Sequence, residues 1–369
     1  MNARPHHGTF AFLLHPLRIR DFARKYPVTR LLPEAWVEQG FKWIPPRLVS
    51  HVTGIRSATG ATAEGWFIGL PLTPRTLLES PLPFVYHRLV QAGRKAEALG
   101  AKVFGLGAFT KIVGDRGMTV ARNLKIAVTT GNSYTAATAV EGALLAAERM
   151  RITPGSSTAA VIGATGSIGA VTSEILSRSV GRIILVARTR EHLEALASRL
   201  RPRSRAEVVV ETDIRRAARE AEIVLTVSSA TDVLIEPEDL RTGAVVCDVA
   251  RPRNVSRIVY ERRDDVLVID GGVIEVPGDV DFGFDFGFPP RMCEACMAET
   301  IILALEGRYE NFTLGKEITL AQVEEIAALA RRHGFRLSGF RRFERAISDE
   351  EVDAIFAASR GRAAAGVRT

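Results

Sequence analysis

Apolar and polar positions follow one regular pattern over residues 157–272. Short apolar runs alternate there with amphipathic stretches of helical period, and strands are predicted at residues 158–162, 182–186, 207–210, 223–227, 244–248 and 266–269. Strands that alternate with helices are typical of a doubly wound parallel sheet covered by helices. We therefore predict an α/β fold for this region.

The pattern before residue 151 is mixed. It predicts a pair of strands over residues 47–57 and 63–70, a helix over 83–98, and an alanine-rich helix that ends near residue 150. We predict that residues 1–150 form a separate N-terminal α+β domain.

The pattern after residue 278 is mainly helical. Residues 279–288 are rich in Gly, Asp and Phe, have neither period, and are predicted to form a loop or lid. The Pro289-Pro290 pair predicts a helix that begins there and runs to about residue 305. Another helix is predicted after the capping box of Thr319 and Gln322, and a last one over residues 349–359.

Composition narrows the class of protein. The chain has 369 residues, of which 46% are hydrophobic and 25% charged, as in a globular protein of two or three domains. It has no apolar run near the roughly 20 residues that span a bilayer and no signal-peptide pattern, so we expect a cytoplasmic protein. The net charge is +7, but the arginines do not form one tract with interleaved aromatic residues. We expect an acidic protein or an anionic membrane surface as partner, and no nucleic acid.

A glycine-rich segment, Gly163-Ala-Thr-Gly-Ser-Ile-Gly169, joins a predicted strand to a predicted helix. The first glycine suits a tight turn, the second lets the backbone approach a pyrophosphate, and the third lets the helix pack closely on the strand. The free N–H groups of the helix then face the anion. We predict a Rossmann-like dinucleotide-binding domain over residues 151–278, with phosphate contacts from Gly163, Ala164, Thr165, Gly166, Ser167, Ile168 and Gly169.

The next strand ends at Ala187-Arg188-Thr189-Arg190, where an NAD-selective site usually offers an acidic residue to the ribose. Arg188, with Thr189 or Arg190, instead suits a ribose 2′-phosphate, so NADPH is the predicted cofactor. The alternative is that these arginines only begin a solvated helix.

The three cysteines are too few for a disulfide framework, and Cys293 and Cys296 lack the further ligands of a zinc site, so we expect no metal. A thiolate attacks a thioester, holds the acyl group, and presents it to a hydride donor, which yields an aldehyde. With a helix that begins near Pro290, Cys293 lies closer than Cys296 to the favourable dipole end. Two alternatives remain: both cysteines are core residues, or they form a redox disulfide.

The chain contains several further motifs in a defined order. Through these motifs it resembles the long-chain acyl-acyl carrier protein reductases of cyanobacteria, from about residue 10 to about residue 335. The motifs are Gly107-Ala-Phe-Thr110, Thr129-Thr-Gly-Asn132, the glycine loop, Ala187-Arg188, Asp270-Gly-Gly-Val-Ile-Glu275, Arg291-Met-Cys-Glu-Ala-Cys-Met-Ala-Glu299, Asn311-Phe312 and Arg332-His-Gly-Phe335. This family reduces a fatty acyl group, carried by acyl carrier protein or coenzyme A, to a fatty aldehyde with NADPH.

The resemblance implies specific roles. Cys296, within Ala295-Cys-Met-Ala-Glu299, matches the acylated cysteine of the family, the glycine loop holds the cofactor phosphates, and Arg188 meets the 2′-phosphate. Residues 1–150 then bind the acyl substrate, and residues 279–369 form a C-terminal helical region that carries the nucleophile. The implied partners are acyl carrier protein or acyl-CoA, membrane lipid at the periphery, and an enzyme that consumes the aldehyde.

The chain departs from the family at two places. Tyr134 stands where the family often has a histidine, and the C-terminus extends past the family's usual end. Two rival functions are a dehydrogenase of the shikimate or glutamyl-tRNA reductase type that acts on a small polar substrate, and an NADP-binding sensor without catalysis.

Overall fold

The computed structural model describes residues 6–24, 26–230, 232–250, 252–343, 345–364 and 366. The chain forms two compact units. The first comprises Met1–Tyr134, Ile274–Ile318 and Glu324–Arg336, and the second comprises Thr135–Val273, Thr319–Val323 and Leu337–Thr369. The residues after 278 are thus divided between the two units.

Strands and α-helices follow one another along the chain. The strands are β1 (His7–Leu14), β2 (Arg47–Arg56), β3 (Thr62–Gly69), β4 (Val103–Leu106), β5 (Ala127–Thr129), β6 (Thr158–Ile162), β7 (Arg182–Val186), β8 (Glu207–Glu211), β9 (Ile223–Thr226), β10 (Val245–Asp248), β11 (Leu267–Asp270), β12 (Val273–Glu275), β13 (Gly278–Asp281), β14 (Met292–Glu294), β15 (Arg336–Leu337), β16 (Arg341–Arg342) and β17 (Arg345–Ala346). The helices are α1 (Glu34–Lys42), α2 (Pro74–Glu79), α3 (Leu82–Ala98), α4 (Met118–Arg122), α5 (Asn132–Arg149), α6 (Ser167–Leu176), α7 (Arg190–Leu200), α8 (Ile214–Glu220), α9 (Arg257–Arg262), α10 (Ala295–Glu306), α11 (Leu320–His333) and α12 (Asp349–Ala364).

The second unit is built on a six-stranded sheet in the order β11-β10-β9-β6-β7-β8, and every neighbouring pair is parallel. The order outward from β6 on both sides is that of a dinucleotide-binding sheet. Both faces are covered by apolar clusters, which explains why its strands are continuous apolar runs. The predicted Rossmann-like α/β fold is confirmed.

The first unit is built on a mixed six-stranded sheet in the order β13-β2-β3-β1-β4-β5. β1 pairs in parallel with β3 and β4, β4 pairs in parallel with β5, and β2 and β3 form the predicted antiparallel hairpin. Along β1 the side chains alternate, so that Ala11 and Leu13 join the apolar cluster that includes α3, while Phe10 and Phe12 point to the other face. The N-terminal α+β fold is therefore also confirmed.

Helix α10 packs on the face that carries Phe12, and glycines allow the close approach. A Cβ on Gly8 would lie 2.0 Å from Ala304 O, and a Cβ on Gly105 would lie 2.1 Å from Thr300 Oγ1. Because Gly8 lies near the start of β1 and Gly105 pairs with Phe12 farther along, α10 runs opposite to these parallel strands. Its N-terminus therefore lies at the edge of the sheet where β1, β4 and β5 end.

Two predictions about the segment after residue 278 need correction. Residues 278–281 are strand β13, paired with β2, although a loop was predicted from residue 279, whereas residues 282–288 form neither helix nor strand, as predicted. Phe282 stacks on Phe67 with ring centroids 5.8 Å apart. The helix expected from Pro289-Pro290 begins only at Ala295, because Arg291 adopts a left-handed φ of 64° and residues 292–294 are extended. Of the helices in the described ranges, none has both the length and the hydropathy to cross a membrane.

Candidate active site

The glycine loop of the second unit has a backbone that requires glycine. Gly163 adopts φ +90°, and a Cβ there would lie 2.9 Å from the backbone nitrogen of Ser228. A Cβ on Gly169 would lie 2.1 Å from Gly163 O, so this glycine allows α6 to pack on the turn. Helix α6 begins right after Gly166, and its free N–H groups face the loop. These residues fit a bound pyrophosphate.

Arg188 and Thr189 lie at the same edge of that sheet. β6 and β7 are in parallel register with Ile162 opposite Val186, and the N–H groups of Gly163 and Ala164 both donate to Val186 O at 2.9 and 3.0 Å. Arg188 follows two residues later and is exposed, as is Thr189, whose side chain makes no capping bond to α7. The strand register therefore brings both side chains to the edge that carries the glycine loop.

Cys296 lies in the first unit, at the second residue of α10, and is only 4% exposed. Gly131, in the loop between β5 and α5, packs directly on it, since a Cβ on Gly131 would lie 2.2 Å from Cys296 Cα. Gly131 has φ +70°, which also favours glycine. Two motifs that are distant in sequence, Thr129-Thr-Gly-Asn132 and Ala295-Cys-Met-Ala-Glu299, thus meet at the nucleophile candidate.

The geometry corrects the local argument for Cys293. That argument needed a helix from Pro290, whereas Cys293 lies in β14, outside the helix, and is fully buried. Cys296 is the cysteine in the first turn of α10. Cys247 is buried in β10, where its Sγ lies 3.6 Å from Ala139 O, and all three cysteines are free thiols.

Burial controls the acidity of the Cys296 thiol. It raises the pKa of Cys296 to about 12, the Lys111 ammonium lowers this pKa, and the carboxylates of Glu294 and Glu299 raise it. Glu294 Oε2 lies 3.7 Å from Sγ. Because desolvation is the largest of these effects, the site favours the neutral thiol over the thiolate at neutral pH.

The buried carboxylate of Glu299 connects the two motifs through hydrogen bonds. The sequence did not indicate this role. Glu299 is 0% exposed, and its Oε1 accepts hydrogen bonds from the hydroxyls of Thr129 at 2.5 Å and Thr313 at 2.9 Å. Its Oε2 accepts from Ser133 Oγ at 2.6 Å and from the N–H of Tyr134 at 2.9 Å. Four donors satisfy this carboxylate, which holds the first turn of α10 against the loop of Gly131.

Asn132 begins α5 next to Gly131 and is 6% exposed. Its buried amide oxygen has no hydrogen-bond partner among the described residues. Leaving a buried amide atom unpaired costs about 1–3 kcal/mol. An amide in this state, one residue after the glycine that packs on Cys296, is suited to contact a bound substrate.

A rigid turn after β4 lies at the same edge of the sheet. The N–H of Gly107 donates to Thr110 Oγ1 at 3.1 Å, and this hydroxyl donates back to Gly107 O at 2.7 Å. The N–H of Phe109 donates to His15 Nε2 at 3.1 Å, while His15 Nδ1 donates to Pro16 O. His15 is therefore neutral, and burial lowers its pKa to about 4.

Acid is expected to destabilise the chain through His15. The folded pKa is about 4 and the reference value is 6.5, so unfolding takes up a proton between these values and the free energy of unfolding falls as pH drops through that window. The loss from this group is about 2–3 kcal/mol. Urea denaturation at pH 7 and pH 4.5 measures it.

His15→Gln keeps an acceptor for the N–H of Phe109 and is expected to lose this part of the pH dependence. The matched control is His87→Gln, since His87 is exposed. An unchanged pH dependence in His15→Gln would contradict the assignment.

The described residues hold no group of three or more His, Cys, Asp or Glu side chains suited to bind a metal ion.

The family model described as Shikimate / quinate 5-dehydrogenase matches residues 145–270, which include all six strands of the second unit's sheet. The chain has a shikimate dehydrogenase-like NAD(P)-binding domain.

Curated relatives extend the similarity beyond that domain. The aminotransferase PigE of a Serratia species is 33% identical over 336 residues, which cover 88% of this chain and 39% of PigE. The long-chain acyl-acyl-carrier-protein reductase of Synechococcus elongatus is 29% identical over 347 residues, which cover 89% of this chain and 98% of that protein. A glutamyl-tRNA reductase of Natronomonas pharaonis is 35% identical over 132 residues, which cover 35% of this chain and 28% of the reductase.

The chain thus spans 39% of the length of PigE. The chain is thus similar to shikimate dehydrogenases in its NAD(P)-binding domain, to a long-chain acyl reductase over 89% of this chain, and to a glutamyl-tRNA reductase over 35% of it.

Proposed function

We propose that the chain reduces a long-chain fatty acyl thioester to a fatty aldehyde with NADPH, through an acyl group held on Cys296. The observation that carries this proposal is the position of Cys296 in the first turn of α10, packed against Gly131, which precedes Asn132 with its unpaired amide oxygen. The similarity to the Synechococcus elongatus reductase, along 98% of its length, supports the same substrate class.

The first half-reaction transfers the acyl group to the protein. The Cys296 thiolate attacks the thioester carbonyl, a bond forms from Sγ to the acyl carbon, and the carrier thiolate leaves and takes up a proton. Backbone N–H groups of the first turn of α10 and the side chain of Asn132 face the oxyanion in this proposal. A neutral thiol at rest protects the nucleophile from oxidation until substrate arrives.

The second half-reaction releases the product. Reduced nicotinamide, when bound, supplies a hydride to the acyl carbon. The resulting alkoxide then reforms the carbonyl, the bond to Sγ breaks, and the aldehyde leaves with the thiolate regenerated. The glycine loop and Arg188 would hold the pyrophosphate and the 2′-phosphate of the cofactor.

The test of this function is NADPH consumption by the purified chain with long-chain acyl thioesters of acyl carrier protein and of coenzyme A, followed by extraction of the products. Formation of fatty aldehyde equal to the NADPH consumed would support the proposal. Tight NADPH binding without aldehyde from either thioester would reject it and favour a dehydrogenase that acts on a small polar substrate, the second candidate, which the family model supports.

Arg188→Ala is expected to raise the KM for NADPH about 10- to 100-fold, because a charge-assisted contact to phosphate is worth about 1.5–3 kcal/mol. The KM for NADH is expected to stay unchanged, since NADH lacks the 2′-phosphate. The matched control is Arg199→Ala, since Arg199 is exposed in the last turn of α7, the helix that follows Arg188. Equal effects on both cofactors would contradict the assignment.

The same proposal includes the partners. Acyl carrier protein is acidic, and a chain of net charge +7 suits its docking. A long-chain aldehyde partitions into apolar phases, so we also propose peripheral contact with membrane lipid and transfer of the product to an aldehyde-consuming enzyme.

A further inference from the structure

Several features around Cys296 oppose ionisation of its thiol, although the residue lies in the first turn of α10. Burial disfavours the thiolate, and so do two nearby carboxylates: Glu294, in β14, and Glu299, one turn along α10. The neighbouring thiol of Cys293 is itself buried and its pKa is raised well above the ordinary value. The attack on a thioester nevertheless requires a thiolate, so a cation must act against these groups.

The topology of the first unit places such a cation at the edge of the sheet where the thiol lies. Because α10 runs opposite to β1 and β4, its first turn lies at the edge where β4 ends, and the turn Ala108–Lys111 begins there after Gly107. Lys111 is the last residue of this turn and is half-buried. Its ammonium acts on Cys296 in the direction opposite to Glu294 and Glu299.

Hydrogen bonds and packing fix the backbone of the turn that ends at Lys111. Gly107 and Thr110 exchange two hydrogen bonds, and Phe109 is both fully buried and tied to His15 through its N–H. Ala108 adopts a left-handed φ of 44°, which non-glycine residues rarely adopt. Such backbone strain persists only where the surrounding contacts determine it, and it is frequent at functional sites.

We propose that Lys111 is a positioning residue that acts through Cys296: its ammonium stabilises the thiolate that attacks the thioester. When the thiolate forms, the S–H proton passes to solvent, the electron pair stays on Sγ, and Lys111 keeps its own charge throughout. This inference rests on Cys296 as the nucleophile of the proposed function. It adds the cation that the sequence motifs do not identify.

The experiment measures the thiolate directly, without turnover. The full-length chain is alkylated with iodoacetamide at pH 7 to 10, and labelling of Cys296 is followed by mass spectrometry of its peptide. Lys111→Met removes the charge and keeps the length of the side chain, whereas Lys111→Arg keeps the charge. The matched control is Lys102→Met, since Lys102 is exposed and precedes the other end of β4.

We expect Lys111→Met to slow alkylation of Cys296 about 10-fold at each pH below the thiol pKa, the effect of a one-unit rise in that pKa. Lys111→Arg is expected to retain most of the rate, and Lys102→Met all of it. A pH profile in Lys111→Met that coincides with that of the unaltered chain, in protein whose thermal unfolding is unchanged, would overturn the proposal. So would an equal loss in Lys111→Arg.

The aldehyde assay separates the two proposals. A shifted alkylation profile in a chain that forms no aldehyde from any thioester would support the role of Lys111 and reject the proposed function. Aldehyde formation together with an unshifted profile would reject the role of Lys111 and leave the function intact.

Discussion

Cys296→Ala is expected to lower aldehyde formation by about 10⁴-fold or more, since removal of a covalent nucleophile eliminates both half-reactions. NADPH binding is expected to stay intact, because the predicted phosphate contacts belong to the glycine loop and Arg188. The measurements are aldehyde yield by extraction and NADPH affinity by fluorescence titration. A radiolabelled acyl thioester should also leave label on the unaltered chain and none on the variant.

The matched control for this prediction is Cys293→Ala. Cys293 is fully buried in β14, three residues before Cys296. Its replacement removes packing, and we expect a lower melting temperature but normal aldehyde formation per folded molecule. Retained turnover in Cys296→Ala would reject the nucleophile, and loss of turnover only in Cys293→Ala would transfer the role to that thiol.

Glu299→Ala is expected to lower the free energy of unfolding by about 3–5 kcal/mol, as removal of one partner from a buried charged network does. Three hydroxyls and the N–H of Tyr134 lose their acceptor, and a cavity opens beneath the first turn of α10. Urea denaturation followed by circular dichroism measures the loss.

Two further variants sharpen this prediction. Glu299→Gln keeps the shape and one acceptor oxygen, so an intermediate loss is expected. Glu310→Ala changes an exposed glutamate in the same unit and is expected to change the free energy of unfolding by less than about 0.5 kcal/mol. A denaturation midpoint of Glu299→Ala equal to that of Glu310→Ala would contradict the role of the network.

The parallel sheet of the second unit is predictable from local sequence patterns alone. Its strands are continuous apolar runs because both faces are buried, and the helices between them have their own period, so the alternation is visible locally. Gly169 is an equally local signal, since the close packing that needs glycine there involves Gly163 and Ala164, whereas Gly163 also approaches Ser228, which is distant in the sequence. The resemblance then pointed to Cys296 through a short motif.

The start of the helix that carries Cys296 depends on long-range packing. Pro290 is a favourable first residue of a helix, yet residues 292–294 are extended, and Arg291 turns the chain before α10. A local start signal is weak against strand pairing and packing elsewhere in the chain. For that reason the local start signal wrongly predicted that Cys293, and not Cys296, lies closer to the positive end of the helix dipole.

The chemistry around the thiol was also decided by tertiary structure. Glu299 meets Thr129 and Ser133 across 170 and 166 positions, and Phe109 meets His15 across 94, distances at which no periodicity carries information. The pKa of Cys296 depends on burial and on Lys111, which come from the packing of α10 against β4. Sequence motifs supplied the candidate residues of this site, and the long-range packing determined which charges surround them.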